Sequence, residues 1–294
     1  MVEKQILRKR LSPPAVSDHY IDLPLTTLHY VKCGQGPPMV MVPATVSRID
    51  HWIDLAQFMG QRFTTHFFEL PGHGGSSPFK GPYSSDLVAQ SIEHFIDELG
   101  FDTFTLMGFS FGGMLTLKTL ALLEDRVDRV VMIAPCVSHR ALTFSSARKW
   151  VLKKVAQFLR MTSVQKKVLS LLRDPVYQNH VASIIRFIGR VEESVPLDER
   201  LPQLPASTLD ALAYQIEEVM HLNFPPRKDP YAIPLHFAMS VNDTLLDFTR
   251  TYNFIDSYFS DIHTVCFTFP YHQPPVIPSF EDLQKEFAGF LEQM

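Results

Sequence analysis

The distribution of apolar and polar positions divides the chain into short extended segments and longer helical ones. Apolar residues at helical spacing predict helices over 51–59, 86–100 and 111–126. Alternation of the two kinds of segment predicts βαβ units and a mostly parallel sheet flanked by helices on both faces. Short, mostly apolar runs predict strands at 19–24, 25–33, 39–44, 63–70, 104–108 and 127–136. A turn around Pro24 is expected to join the first two.

The alternation stops in the middle of the chain and resumes later. From about 139 to 228 the sequence has helical periodicity without a convincing strand, and the candidate helices are 147–161, 163–174, 178–191 and 207–220. Strand and helix patterns then alternate again over 233–241, 249–259, 263–269 and 279–294. We therefore predict an α/β core in two parts, 1–138 and 229–294, interrupted by an inserted all-helical cap, 139–228, which is far longer than ordinary connections.

Composition and charge narrow the class of protein. The 294 residues are 46% hydrophobic and carry a net charge of −4, which gives no reason to expect a nucleic-acid partner. Three cysteines, Cys33, Cys136 and Cys266, form neither a disulfide framework nor a metal-binding spacing. The polar, basic segment 1–14 lacks the apolar centre of a signal peptide, and no apolar run is long enough to span a bilayer. These features predict a cytoplasmic globular protein.

One serine lies where a predicted strand meets a predicted helix. Gly108-Phe109-Ser110-Phe111-Gly112 matches the pattern G-x-S-x-G, and this context favours a nucleophile on a sharp turn. Such a turn exposes the serine Oγ near a helix N-terminus, where free N–H groups favour developing negative charge. The alternative is a glycine-rich turn with an incidental serine. We favour Ser110 as a nucleophile.

A serine hydroxyl needs a base, usually histidine, which a carboxylate orients. Asp243 is the first acid after the strand 233–241, and we favour it over Asp247, although Asn-Asp pairs are also common in turns. His272 follows the strand 263–269 and is the candidate base. His263 begins the same strand at its other end and is expected to point away.

These motifs together resemble the α/β-hydrolase superfamily over nearly the whole chain. ELPGHGGSS (69–77) is similar to the loop after the fourth strand of many members, and GFSFGG (108–113) to their nucleophile elbow. SVNDTLLD (240–247) and FPYHQPP (269–275) occupy the acid and histidine positions. The resemblance implies the α/β-hydrolase fold, a catalytic triad of Ser110, Asp243 and His272, and a lid-like cap. It also implies that His73, in the first of these motifs, is a packing residue.

One stretch departs from the family pattern. Acyl transfer creates an oxyanion that needs two hydrogen-bond donors, and the first candidate is the backbone N–H of Phe111. The resemblance implies that the second comes from the loop after the third strand, which usually begins His-Gly. Here Pro43-Ala44 stands in that place, so Thr45 becomes the candidate through its N–H. Loss of the glycine removes backbone freedom and predicts a loop of different shape.

The cap contains a basic segment. Between 148 and 173 there is no acidic residue, and Trp150, Phe158 and Met161 lie among the cations. Such a helix can contact an anionic membrane surface or steer an acidic substrate. The simpler interpretation, which we favour at this stage, is a solvated outer face over an apolar inner face that roofs the pocket. The cations are Arg148, Lys149, Lys153, Lys154, Arg160, Lys166, Lys167 and Arg173.

The sequence therefore predicts a serine hydrolase that cleaves a small-to-medium apolar carboxylic ester and requires no metal or organic cofactor. A serine at 110 disfavours the dehalogenases and epoxide hydrolases of this fold, which use aspartate as the nucleophile. Thioester, lactone or carbon–carbon bond hydrolysis and acyl transfer use the same residues and stay open. A non-catalytic binding protein is the alternative from another class, and only Pro43-Ala44 favours it.

Overall fold

The computed structural model describes residues 12–46, 48–189, 197–274 and 276–294. Eight strands form one sheet within these ranges. They are β1 (Val16–Asp22), β2 (Thr27–Cys33), β3 (Pro38–Val42), β4 (Thr64–Phe68), β5 (Phe104–Phe109), β6 (Val127–Ile133), β7 (Leu235–Ser240) and β8 (Ile262–Phe267). Their order in the sheet is β1-β2-β4-β3-β5-β6-β7-β8. The pairs β1–β2 and β2–β4 are antiparallel and the other pairs are parallel. The sheet is therefore mostly parallel, as the sequence predicts.

Ten α-helices are present in the described residues, and α1 and α10 cover one face of the sheet while α2, α3 and α9 cover the other. They are α1 (Ile49–Met59), α2 (Ser85–Glu98), α3 (Phe111–Leu123), α4 (Ser146–Leu159), α5 (Thr162–Arg173), α6 (Gln178–Gly189), α7 (Leu197–Arg200), α8 (Ala206–His221), α9 (Phe248–Tyr258) and α10 (Phe280–Glu292).

The buried strands place alternate side chains in two cores. Met39 and Met41 of β3 pack with α1 and α10 on one face of the sheet. Val40 and Val42 of the same strand pack with α2, α3 and α9 on the other face. This is the period-two alternation of a strand buried on both sides, and it explains why β3 reads as a continuous apolar run. α3 passes through the second core and buries most of its residues.

The helices of the middle segment, α4 to α8, all lie between β6 and β7 in the chain. Ser145 caps the N-terminus of α4 by accepting the N–H of Arg148, and α4 packs along α8. Of the described helices, none is both long and apolar enough to cross a membrane. The boundaries 139–228 for a cap remain a prediction. Residues 1–11 and the last two residues of the predicted helix 178–191 lie outside the described ranges.

The strand order determines where a site can form. β4 and β5 lie on opposite sides of β3, so the connections leaving β3 and β5 run in opposite directions. In parallel sheets, ligands bind at the carboxyl ends of the strands at such a switch point. Thr45 follows β3 and Ser110 follows β5, while Asp243 and His272 follow β7 and β8. All four therefore leave the sheet at the same edge.

Candidate active site

Ser110 lies on the turn between β5 and α3 with φ of 52° and ψ of −118°. A positive φ is uncommon for a residue with a side chain and costs on the order of 1–3 kcal/mol. Backbone hydrogen bonds hold the turn in this state. Its N–H donates to the carbonyl of Ile133 at 3.0 Å, and its carbonyl accepts the N–H groups of Gly113 and Cys136 at 2.9 and 2.8 Å. The turn is thus held by the end of β6, by the residue Cys136 that follows it and by the first turn of α3.

Two glycines allow the elements around Ser110 to approach closely. A Cβ on Gly108 would lie 2.2 Å from the Thr116 Oγ1, and one on Gly112 would lie 2.3 Å from the Val42 carbonyl oxygen. Both distances are well inside van der Waals contact. The spacing G-x-S-x-G therefore has a steric cause here, because α3 begins directly against the end of β3.

The structure brings Asp243 and His272 to the serine. The Ser110 Oγ lies 2.8 Å from the His272 Nε2, and the His272 Nδ1 lies 2.7 Å from the Asp243 Oδ2. The Asp243 Oδ1 accepts the N–H groups of Leu245 and Leu246, both at 2.8 Å. The Asp243 side chain is 1% exposed and that of His272 is 13% exposed. The carboxylate is therefore fixed and shielded, while one edge of the imidazole remains accessible.

The competing residues are used differently. Asp247 caps α9 by accepting the N–H of Arg250 at 2.8 Å. His263 stacks on His236, with ring centroids 4.8 Å apart, near the amino end of β8. His73 is 1% exposed, and burial lowers its pKa, which favours the neutral imidazole. None of these three side chains hydrogen-bonds to Ser110, whose Oγ faces the His272 Nε2.

The two predicted oxyanion donors are Phe111, which follows Ser110 directly, and Thr45, which lines the same cavity. Phe111 is the first residue of α3, so its N–H has no partner within the helix. Thr45 is half-buried on the loop after β3 and lines the same cavity as Ser110. Its neighbour Val46 has φ of 56°, and Ala134 on the opposite side has φ of 43°. Strained backbone therefore surrounds Ser110, and Pro43-Ala44 leads into a turn with an unusual valine.

Ser110 opens into a cavity of about 1400 Å³. Apolar side chains from both core and middle-segment helices form much of its wall, among them Trp52, Phe109, Leu212, Leu245 and Phe267. Ile185, on α6, and Leu204, before α8, also line it. A cavity of this size and character admits an apolar group several carbons long beside the hydroxyl of Ser110.

A charged cluster in the same cavity wall escaped the sequence analysis. The Glu69 carboxylate is buried and accepts the N–H of Gly75 at 2.6 Å and that of Ile49 at 3.1 Å. His29 lies between Glu69 and Asp18, with its ring nitrogens 2.8 and 2.6 Å from their oxygens. Burial lowers the His29 pKa, but the two carboxylates raise it more, so the net shift is upward. A buried acid directly after a strand is the signal that could have revealed this cluster.

Comparisons with known proteins support the fold described above. A family model for the alpha/beta hydrolase fold matches residues 37–173. The pimeloyl-[acyl-carrier protein] methyl ester esterase of Nitrosomonas europaea is 29% identical over 119 residues, 40% of this chain and 45% of that protein. The N-formylmaleamate deformylase of Pseudomonas putida is 30% identical over 136 residues, 44% of this chain and 49% of that protein. The aligned region thus spans about half of each curated relative.

A solved structure extends the likeness to nearly the whole chain. The epoxide hydrolase of Bacillus megaterium superposes with a TM-score of 0.66, at 18% identity, over 93% of this chain and all of that one. At this identity the likeness concerns the fold alone. The strand order, the turn at Ser110 and the family model matched over residues 37–173 lead to one conclusion: the chain has the α/β-hydrolase fold.

Proposed function

We propose that this chain is a serine hydrolase that cleaves a small-to-medium apolar carboxylic ester through an acyl-enzyme. The observation that carries the proposal is the continuous hydrogen-bonded series from the Ser110 Oγ through both ring nitrogens of His272 to Asp243. Each member follows a different strand, and the series ends at the wall of an apolar cavity. A structural role for Ser110 alone would not need a fixed histidine and a shielded carboxylate.

The reaction follows from these contacts. The Ser110 Oγ attacks the ester carbonyl carbon while its proton passes to the His272 Nε2. Asp243 accepts the Nδ1–H, which fixes the tautomer and stabilises the imidazolium. The N–H groups of Phe111 and Thr45 are the proposed donors to the oxyanion. As the intermediate collapses, His272 returns the proton to the departing alcohol, and water then cleaves the acyl-enzyme by the same steps.

The substrate class rests on the cavity and the relatives. Trp52, Phe109 and Phe267 line the cavity together with Ser110 and offer apolar contact surface to an acyl or aryl group, although polar side chains such as Glu69 and Gln203 line it too. An esterase and a deformylase are among the similar proteins, and both names describe hydrolysis at a carbonyl carbon. An alcohol is a better leaving group than an amine, and the name of one similar protein specifies a methyl ester, so we propose ester cleavage first.

The test uses p-nitrophenyl esters from acetate to decanoate with the wild type and Ser110→Ala. We expect activity that peaks at an intermediate chain length and falls to background in the variant. Ser91→Ala is the matched control, because Ser91 is a buried serine on α2 whose Oγ bonds to the Leu87 carbonyl. That variant should keep wild-type activity.

A fluorophosphonate probe separates two kinds of failure. If the wild type hydrolyses no ester but the probe labels Ser110, the nucleophile is activated and the proposed substrate class is wrong. If neither hydrolysis nor labelling occurs in folded protein, the proposal of a serine hydrolase fails.

A further inference from the structure

The middle-segment helices expose an unusual share of large apolar side chains. Of the thirteen that are exposed among the described residues, eight lie between 150 and 187. On α4 and directly after it, Trp150, Phe158 and Met161 are 62%, 58% and 51% exposed, and their spacing puts them on one face of the helix. On α6, Ile184 and Phe187 are 56% and 75% exposed. We call these five residues the apolar patch.

The helices that carry the patch are neighbours. α4 packs on α5, and α5 packs on α6. The guanidinium of Arg148, on α4, lies 5.5 Å from the ring centroid of Phe187, which links α4 directly to α6. The inner faces of α4 and α5 are buried through Leu152 and Ala156 and through Leu169 and Leu172, so the exposed rings face away from the core.

Cations accompany the patch and are largely unopposed. Arg160 pairs with Glu217 at 2.6 Å, and Asp210 accepts a hydrogen bond from Gln165. In contrast, Lys153, Lys154, Lys166, Lys167 and Arg173 form no ion pair with another described residue. The whole chain has a net charge of −4, so this positive charge is local. Exposed aromatic rings among lysines are the composition of a surface that inserts at a lipid–water interface.

We propose that the outer surface of α4 to α6 binds an anionic membrane surface, with Trp150, Phe158 and Phe187 entering the headgroup region. Charge complementarity selects this partner. A second copy of the chain in a two-fold contact would bring lysine against lysine. A purely electrostatic partner would leave the rings exposed. An anionic bilayer accommodates both the cations and the rings.

The same helix α6 would then connect membrane and cavity. Ile185 lines the cavity beside Ser110, while Ile184 and Phe187 face outward from the same helix. A membrane against the outer face would therefore lie one helix away from the cavity. Binding itself does not depend on the proposed hydrolase activity, so it can be measured with the Ser110→Ala protein as well as with the wild type.

The experiment measures sedimentation of the full chain with vesicles of phosphatidylcholine alone and of phosphatidylcholine with an equal part of phosphatidylglycerol. We expect binding to the anionic vesicles, weakened by added salt, and little binding to the neutral ones. Trp150 should shift its fluorescence to shorter wavelength on binding, because the other tryptophan, Trp52, is buried. A Trp150→Phe variant should lose that shift.

Matched variants separate local charge from total charge. Lys166→Glu with Lys167→Glu should weaken vesicle binding by at least about twentyfold. Lys80→Glu with Lys285→Glu makes the same change in net charge at exposed positions outside the patch and should have a much smaller effect. Replacement of Trp150, Phe158 and Phe187 by serine should weaken binding about tenfold or more at unchanged charge. Of the residues replaced in these variants, only Lys80 and Lys285 lie outside the proposed surface. Thermal unfolding checks that each variant is folded.

Three results would overturn the proposal. The first is equal binding to neutral and anionic vesicles, and the second is equal loss in the two lysine pairs. The third is self-association without lipid that disappears in the serine variant, since the patch would then be a contact between copies. Hydrolysis of a soluble ester is measured separately, so loss of membrane binding and loss of the proposed activity give different results.

Discussion

At the scale of single residues, two carboxylates four positions apart have different surroundings. Asp243 accepts the Nδ1–H of His272, whereas Asp247 caps α9. Asp243→Asn should keep the fold but place an amide where the imidazole needs an acceptor, which favours the wrong tautomer. We expect kcat for ester hydrolysis to fall by about 10³–10⁴-fold.

Asp247→Asn is the matched control for that substitution. Asparagine caps helices about as well as aspartate, so both the stability and kcat of this variant should stay close to wild type. If Asp247→Asn lowered kcat more than Asp243→Asn, the assignment of the acid would be reversed. Steady-state kinetics with one p-nitrophenyl ester, together with thermal unfolding of both variants, decides between these outcomes.

The candidate site residues differ in how far the sequence reveals them. Ser110, Asp243 and His272 each follow a strand of the parallel sheet, so chain order and the carboxyl-end rule suffice to nominate them. The pairing of His29 with Glu69 has no such signal. It joins positions forty residues apart, and it depends on how β2 lies against β4. Register of this kind follows from packing of the whole sheet.

At the scale of elements, the contact between the end of β3 and the start of α3 depends on a missing side chain. A Cβ on Gly112 would lie 2.3 Å from the Val42 carbonyl oxygen, a backbone atom that cannot move without moving β3. We therefore expect Gly112→Ala to lower the free energy of unfolding by about 1–3 kcal/mol. Because Ser110 lies between these elements, ester hydrolysis should fall as well.

Gly289→Ala provides the comparison. Gly289 lies within α10, and a Cβ there would meet nothing within 4 Å. Alanine is the better helix former, so this variant should be more stable by about 0.5–1 kcal/mol. Urea unfolding of both variants measures the two effects. Equal stability changes would show that the close approach at Gly112 is relieved by small shifts.

The boundaries of several strands show what the pattern of apolar residues cannot predict. The predicted strand 127–136 ends at Ile133, because Ala134 takes a φ of 43° and turns the chain. The predicted strand 19–24 begins instead at Val16, since β1 extends as far as its pairing with β2 allows. Periodicity identifies which segments are extended, whereas strand pairing and local backbone conformation decide where each one ends.

At the scale of the whole molecule, the sequence anticipates the division into sheet and helices better than it anticipates the surface. The α/β-hydrolase fold follows from the alternation of segments and from the motifs at the strand ends. The apolar patch on α4 and α6 does not follow from the sequence. A helix with apolar residues on all sides has the same sequence pattern whether its outer face is buried or exposed to solvent. Exposure of Trp150 and Phe187 emerges only once the neighbours of each helix are known.

The whole sheet also contains two buried histidines that link stability to pH. His66 on β4 and His236 on β7 are each 3% exposed. Burial lowers the pKa of His66 to about 4, with repulsion from Lys32 adding to it. Burial likewise lowers the pKa of His236 to about 4, with repulsion from His263 and Arg129. Both imidazoles are therefore neutral in the native state at pH values where the unfolded chain has already begun to bind protons.

The sign of the effect follows from proton binding. An exposed histidine titrates near 6.5, so between about pH 6.5 and pH 4 the unfolded chain holds more protons than the native protein, and acidification favours unfolding. We expect the free energy of unfolding to be constant with respect to these groups above about pH 6.5 and to fall by on the order of a few kcal/mol toward pH 4.

His66→Phe with His236→Phe should flatten this fall, whatever it does to stability at neutral pH. His221→Phe, at an exposed position, is the control for the loss of a histidine that is not buried. Urea unfolding across this range gives the slope for each protein. A slope that is equally steep in the double variant would mean that other groups cause the acid sensitivity.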